Sequence, residues 1–275
     1  MCSVTQTTYV RALAAIVVAV AAVACGGSTP TQPSNPVPIP AADACSILSA
    51  LGSGGGLRVD ILSGSACNPP DRSPVVKLNM KGAGDSAVGS CTGTIVLPRV
   101  VLTAAHCLDG DVTGVRVWLG SGPEYVAQSF TYYPGFVFNQ TGFDVGLVFL
   151  GEDLPRTPVT LLTSRRGTVG ETAIIAGYGR DENNITVSLR AGSTAVSGVT
   201  DQYIQTTFAP PSSSVCSGDS GGPLFLQHAG RWSIAGITSA TSTDACNQGT
   251  NFYQAITNTG VIGWIKQQAP GVTER

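Results

Sequence analysis

The chain has 275 residues, 43% hydrophobic and only 12% charged, with a formal net charge of −2. It is long enough for one large domain or two small lobes and too apolar to be intrinsically disordered. The slightly acidic balance carries no electrostatic footprint for nucleic acid.

With 34 glycines and no long charged amphipathic stretch, the composition favours an all-β domain with many turns over a helix bundle. Only two histidines are present, His106 and His228. That excludes a zinc site built from several histidines, or an H-E-x-x-H helix.

Near the N-terminus, Arg11 is followed by a 13-residue apolar run, Ala12 to Ala24. This is too short to span a bilayer and suits the core of a secretory signal over residues 1–24. The run ends Ala22-Val23-Ala24-Cys25, which reads two ways. It is an Ala-x-Ala signal-peptidase site, or a bacterial lipobox in which Cys25 is lipidated and becomes the mature N-terminus. Residues 26–40 are rich in Pro, Ser and Thr and carry no charge, the composition of an extended spacer. A spacer directly after Cys25 favours a lipoprotein held at a membrane surface in the periplasm or on the cell surface. Residues 25–60 then serve as anchor, linker and pro-segment. Of eight cysteines, Cys2 leaves with the leader and Cys25 carries lipid. The remaining six are an even number in a chain bound for an oxidising compartment, and no C-x-x-C pair suggests a metal or redox site.

Three segments carry chemistry. Val100 to Cys107 (VVLTAAHC) is a β-rich run that ends in His106. Phe143 to Leu150 (FDVGLVFL) places Asp144 at the mouth of an apolar strand. Cys216 to Pro223 (CSGDSGGP) sets Ser220 among glycines. A serine nucleophile needs a base within hydrogen-bond reach and an acid to orient that base. It also needs donors aimed at the developing oxyanion, and glycines around Ser220 let the backbone turn to present them. Each segment alone has a plain structural reading: a turn, a buried histidine, a strand cap. Their joint occurrence in the order His106, Asp144, Ser220 does not. Gly218 to Gly222 also fits the G-x-S-x-G elbow of α/β-hydrolases. That fold needs an acid and then a histidine after the serine, and no Asp or Glu lies between Ser220 and His228. His228 reads as a hairpin tip between two apolar runs.

LTAAHC, DVGLVFL and GDSGGP resemble the three signatures of the chymotrypsin/trypsin family of serine proteases, in that family's order, and the resemblance extends over about residues 61–268. It implies an all-β fold of two packed six-stranded antiparallel barrels, about 61–160 and 161–258, with a C-terminal helix at about 259–268. His106 would be general base, Asp144 its orienter and Ser220 the nucleophile, with the N–H groups of Gly218 and Ser220 as oxyanion hole. The family pattern pairs Cys91 with Cys107 and Cys216 with Cys246, which leaves Cys45 for Cys67. Ile61-Leu62-Ser63-Gly64 resembles the family's new N-terminus, which inserts after cleavage by an activating protease and pairs with the residue at Asp219. A Cys45–Cys67 bridge would tie the cut domain to its pro-segment. Ser214 falls at the floor of the specificity pocket, Thr241 and Asn251 at its walls, and Ser239 beside the substrate main chain. A serine floor, where Asp would select Arg or Lys, implies cleavage of protein or peptide substrates after neutral, small-to-medium residues. No cofactor or metal is expected. The rival reading, a catalytically silent binding module, is disfavoured by a complete triad.

Overall fold

The computed structural model describes residues 41–53, 65–67, 72–138, 140–181 and 188–275. Among these, thirteen strands and two α-helices build two closed antiparallel barrels. The first barrel comprises β2 (Val75–Lys81), β3 (Ala87–Leu97), β4 (Val100–Thr103), β5 (Gly114–Trp118), β6 (Tyr125–Tyr132) and β7 (Gly146–Leu150), in the cyclic order β2-β3-β4-β7-β6-β5. Period-two burial explains the outer strands. Leu78 and Met80 point inward while Lys77, Asn79 and Lys81 do not, and Val115 and Val117 are buried between less buried neighbours. β4 is buried along its whole length, as its unbroken apolar run requires.

The second barrel runs β9 (Arg190–Val199), β10 (Tyr203–Thr207), β13 (Thr250–Ala255), β12 (Arg231–Thr241), β11 (Pro223–His228) and β8 (Thr172–Gly177), closed by pairing of β8 with β9. A short strand β1 (Ser65–Ala66) adds to β9. His228 pairs with Arg231 across a two-residue turn in which Ala229 and Gly230 both have positive φ, the geometry that matches strand twist in a hairpin.

Helix α2 (Thr259–Gln268) coincides with the expected C-terminal helix. Its first turn is capped by Asn258, whose side chain accepts from the N–H groups of Gly260 and Val261. Val261, Trp264 and Ile265 form its buried stripe. Helix α1 (Ala41–Ser53) lies in the segment assigned to linker and pro-segment. It packs on β9 and β1 through buried Ala44, Cys45 and Leu48. Disulfides join Cys45 to Cys67, Cys91 to Cys107 and Cys216 to Cys246. The first of these fastens α1 to the residue that follows β1.

Candidate active site

His106 sits in a single 3-10 turn (Ala105–Cys107) directly after β4, and Asp144 lies two residues before β7. Because β4 and β7 pair, with Thr103 opposite Gly146, the two side chains emerge at the same barrel end. His106 Nδ1 is 2.8 Å from Asp144 Oδ2, and the His106 backbone N–H donates to Oδ1 at 3.0 Å. Ser239, from β12 of the second barrel, donates its hydroxyl to Oδ2 at 2.6 Å. The carboxylate is buried and accepts three donors, so its orientation is fixed. Gln254, fully buried on β13, takes the Asp144 backbone N–H on Oε1 at 3.0 Å and donates Nε2 to the Gln202 carbonyl at 2.9 Å. Sequence reading did not single out Gln254.

Ser220 lies in the loop before β11 and shares a cleft of about 790 Å³ with His106 and Asp144. Phe138 overhangs this cleft, its ring centroid 6.0 Å from that of His106. The loop around Ser220 can be accounted for peptide by peptide. The carbonyl of Ser217 accepts from the Arg180 N–H, that of Gly218 from Thr92 Oγ1, that of Asp219 from the Gly222 N–H and that of Ser220 from the Thr92 N–H. The N–H groups of Asp219 and Gly221 donate to the carbonyls of Cys216 and Thr238. Those of Gly218 and Ser220 have no acceptor among the described residues. Gly218 and Gly221 adopt positive φ, and a Cβ on Gly221 would run into Thr103 Oγ1 and the Thr92 carbonyl, so these glycines are dictated by the turn.

The Asp219 carboxylate is buried against Gly177 and Gly179, where any Cβ would collide with it. It accepts N–H bonds from Gly179 at 2.7 Å and Cys216 at 2.9 Å. Burial pushes this carboxyl up to about 6, although both amides and the charge of Arg190 favour its ionised form. The folded chain therefore holds that proton more tightly than the unfolded chain. Stability contributed by the protonated group should fall as pH rises from 3.8 to about 6, a loss of order 3 kcal/mol that persists above that range. Urea midpoints for the uncut protein between pH 4 and 7 measure it, and Asp219→Asn should lack this component. Ile61, the expected partner of Asp219, and Cys25 lie outside the described residues.

The specificity residues divide. Ser239 and Thr241 line the cleft, along with Val215, Ser217 and Asp244. Ser214 and Asn251, expected to face substrate, are both buried and are absent from that lining. Asn251 Nδ2 donates to Ser214 Oγ at 3.2 Å and lies 3.2 Å from Thr206 Oγ1, which in turn contacts the Tyr253 hydroxyl. Ser214 and Asn251 are thus two buried, neutral polar groups that satisfy one another. His228 lies outside the cleft lining. Cys91, His106 and Cys107 come within metal-ligating distance of one another, but both sulfurs are spent in a disulfide.

A family model described as Trypsin matches residues 61–265. The chain belongs to the trypsin family. It is a serine-type endopeptidase, a hydrolase whose substrates are proteins or peptides. The protease is 26% identical over 217 residues to chymotrypsin-like elastase family member 1 of Bos taurus, covering 68% of this chain and 81% of that protein. It is 28% identical over 186 residues to glutamyl endopeptidase of Bacillus licheniformis, covering 61% of this chain and 55% of that enzyme. Among solved structures it resembles HL collagenase with a TM-score of 0.61 at 22% identity, over 71% of this chain and 92% of that one. That is a likeness of fold.

Proposed function

We propose that the protease works through His106, Asp144 and Ser220 by way of an acyl-enzyme. Ser220 Oγ attacks the scissile carbonyl carbon while His106 Nε2 takes its proton. The tetrahedral oxyanion is held by the N–H groups of Gly218 and Ser220. The C–N bond then breaks as His106 returns the proton to the leaving amine. Water, deprotonated by His106, attacks the ester, releases the new carboxylate and restores Ser220. The observation that carries this reading is the hydrogen-bonded His106–Asp144 pair sharing one cleft with a serine whose loop keeps two N–H groups unspent. A fluorophosphonate, which needs both an activated serine and a formed oxyanion site, should add once to the protein and not to Ser220→Ala. An adduct on both, or on neither when the chain begins at Ile61, overturns the proposal.

The mutual pairing of Ser214 and Asn251 supports cleavage after neutral, small-to-medium residues. It offers no buried carboxylate to a substrate cation, and Asp244 is exposed, so its charge is solvated. In a peptide panel, substrates with Ala, Val or Leu before the cut should exceed the Arg substrate by about tenfold or more in kcat/KM. Faster cleavage after Arg would sink this reading.

The strand register supports activation by cleavage before Ile61. At Arg190–Ala191, β9 has β1 on one side and β8 on the other, which lines up Ala66, Arg190 and Gly177. Two strand spacings put Ala66 about 10 Å from Gly177, and Gly177 abuts the Asp219 carboxylate. The four Cα-to-Cα steps from Ile61 to Ser65 reach up to about 14 Å when extended. A free Ile61 amine therefore comes within reach of Asp219 and would give its buried carboxylate a direct ion-pair partner. The protein is made as a zymogen and exported as a lipoprotein on Cys25, consistent with its three disulfides. After cleavage before Ile61, intact mass without reductant should equal that of the uncut chain plus one water, and reductant should split it in two. One unsplit mass under both conditions refutes either the cut or the tether.

A further inference from the structure

The four peptides from Ser217 to Gly221 hold the two N–H groups assigned above to the oxyanion. Their orientation depends on the plane between them, the Gly218–Asp219 peptide. That plane is pinned at both ends: its N–H donates to the Cys216 carbonyl at 3.0 Å, and its carbonyl accepts from Thr92 Oγ1 at 2.8 Å. Rotating it would turn the flanking N–H groups of Gly218 and Ser220 apart. Every other bond to these carbonyls comes from backbone, so the Thr92 hydroxyl is the one side-chain donor to them among the described residues.

The hydroxyl has no freedom to do otherwise. It accepts the Tyr178 N–H at 2.9 Å, so its own hydrogen is directed to the Gly218 carbonyl. Thr92 is fully buried. Its backbone N–H donates to the Ser220 carbonyl at 2.8 Å, and its carbonyl accepts from Thr103 Oγ1 at 2.9 Å. It belongs to β3 of the first barrel, whereas Tyr178 and the Ser220 loop belong to the second. We infer that Thr92 is a positioning residue for the oxyanion site, clamping the Ser220 loop from the opposite barrel through its hydroxyl. This rests on the reading of Ser220 as nucleophile.

Thr92→Val keeps the shape and removes both hydroxyl bonds, and Thr92→Ser keeps the hydroxyl. Thr92→Val should lower kcat by about tenfold to a hundredfold with KM changed less than about threefold. The inhibition constant of a peptide aldehyde, whose hemiacetal oxygen occupies the oxyanion site, should rise by the same factor as kcat/KM falls. The pH midpoints of kcat/KM should stay in place, because the His106–Asp144 pair is untouched. Thr92→Ser should recover activity to within about threefold of the native protein. A Thr92→Val protein with native kcat overturns the inference. So does a loss that Thr92→Ser fails to restore, or one accompanied by shifted pH midpoints or an unchanged aldehyde constant. If Thr92→Val does not fold, Thr92→Ser against Thr92→Ala gives the same comparison. Ser220→Ala run alongside separates the two failures. If it retains activity, the nucleophile reading falls. If it is inactive while Thr92→Val is native, only the clamp falls.

Discussion

Replacing Ser220 by Ala should lower kcat about a million-fold, His106→Ala about as much, and the double variant hardly further. In the proposed mechanism the two side chains perform one act. Without a base within reach, a serine hydroxyl is a poor nucleophile at neutral pH, and without the hydroxyl the imidazole has no proton to take. What survives in each variant is substrate binding and the oxyanion site, which together retain about a thousandfold over water. Steady-state hydrolysis of a chromogenic peptide, with the acyl-enzyme burst followed in parallel, measures this. A Ser220→Ala protein within a hundredfold of native would move the nucleophile elsewhere, and strictly additive losses would show that His106 and Ser220 do not act together.

Asp144→Asn should cost about ten-thousandfold in kcat while the thermal midpoint shifts little. The carboxylate receives three donors: the His106 N–H, His106 Nδ1 and the Ser239 hydroxyl. An amide of the same shape must present an NH₂ group to one part of that ring of donors. With the NH₂ facing Nδ1, the imidazole is driven to the tautomer whose proton sits on Nε2, and it can no longer take the serine proton. With the amide turned round, the NH₂ meets the His106 N–H and a buried donor goes unpaired. The first arrangement keeps the geometry and loses the proton transfer; the second keeps the tautomer at the cost of an unpaired buried donor, so the first is the one expected. The check is kcat beside the melting curve. A native melt with native kcat would remove Asp144 from the mechanism.

The segments around His106, Asp144 and Ser220 were legible because each has a local signature: a β-run ending in His-Cys, an acid at the mouth of an apolar strand, a serine whose glycines must take positive φ. Barrel architecture and the C-terminal helix α2 both followed from likeness to a known family. Thr92 and Gln254 left no such mark. Their decisive bonds run to Gly218 and Asp144, 126 and 110 positions away, and polar side chains inside barrel strands look the same in sequence whether they clamp a loop or face water. Ser214 was located by counting back from the nucleophile and Asn251 by likeness to the family's pocket wall. Counting does not reveal that two uncharged polar groups 37 residues apart would satisfy each other and withdraw from the lining. Helix α1 was passed over because small residues dominate it, between a Pro-rich spacer and a glycine run. Its apolar stripe is short, Ala44, Ile47, Leu48 and Leu51.

The Cys45–Cys67 bridge gives reducing conditions a selective effect. In the uncut chain a reduced bridge changes little, since the backbone still carries α1 to its seat on β9. If the bond before Ile61 is hydrolysed, as proposed above, the sulfur link becomes the sole covalent tie between that helix and the barrels. Its loss leaves Ala44 and Leu48 without their apolar partners and bares the face of β9 that they cover. An activated molecule that strayed into a thiol-rich compartment would thus shed a structural piece and become prone to aggregate, while its uncut precursor survived the same passage. The bridge would act as a fuse, confining the active form to oxidising surroundings without any inhibitor.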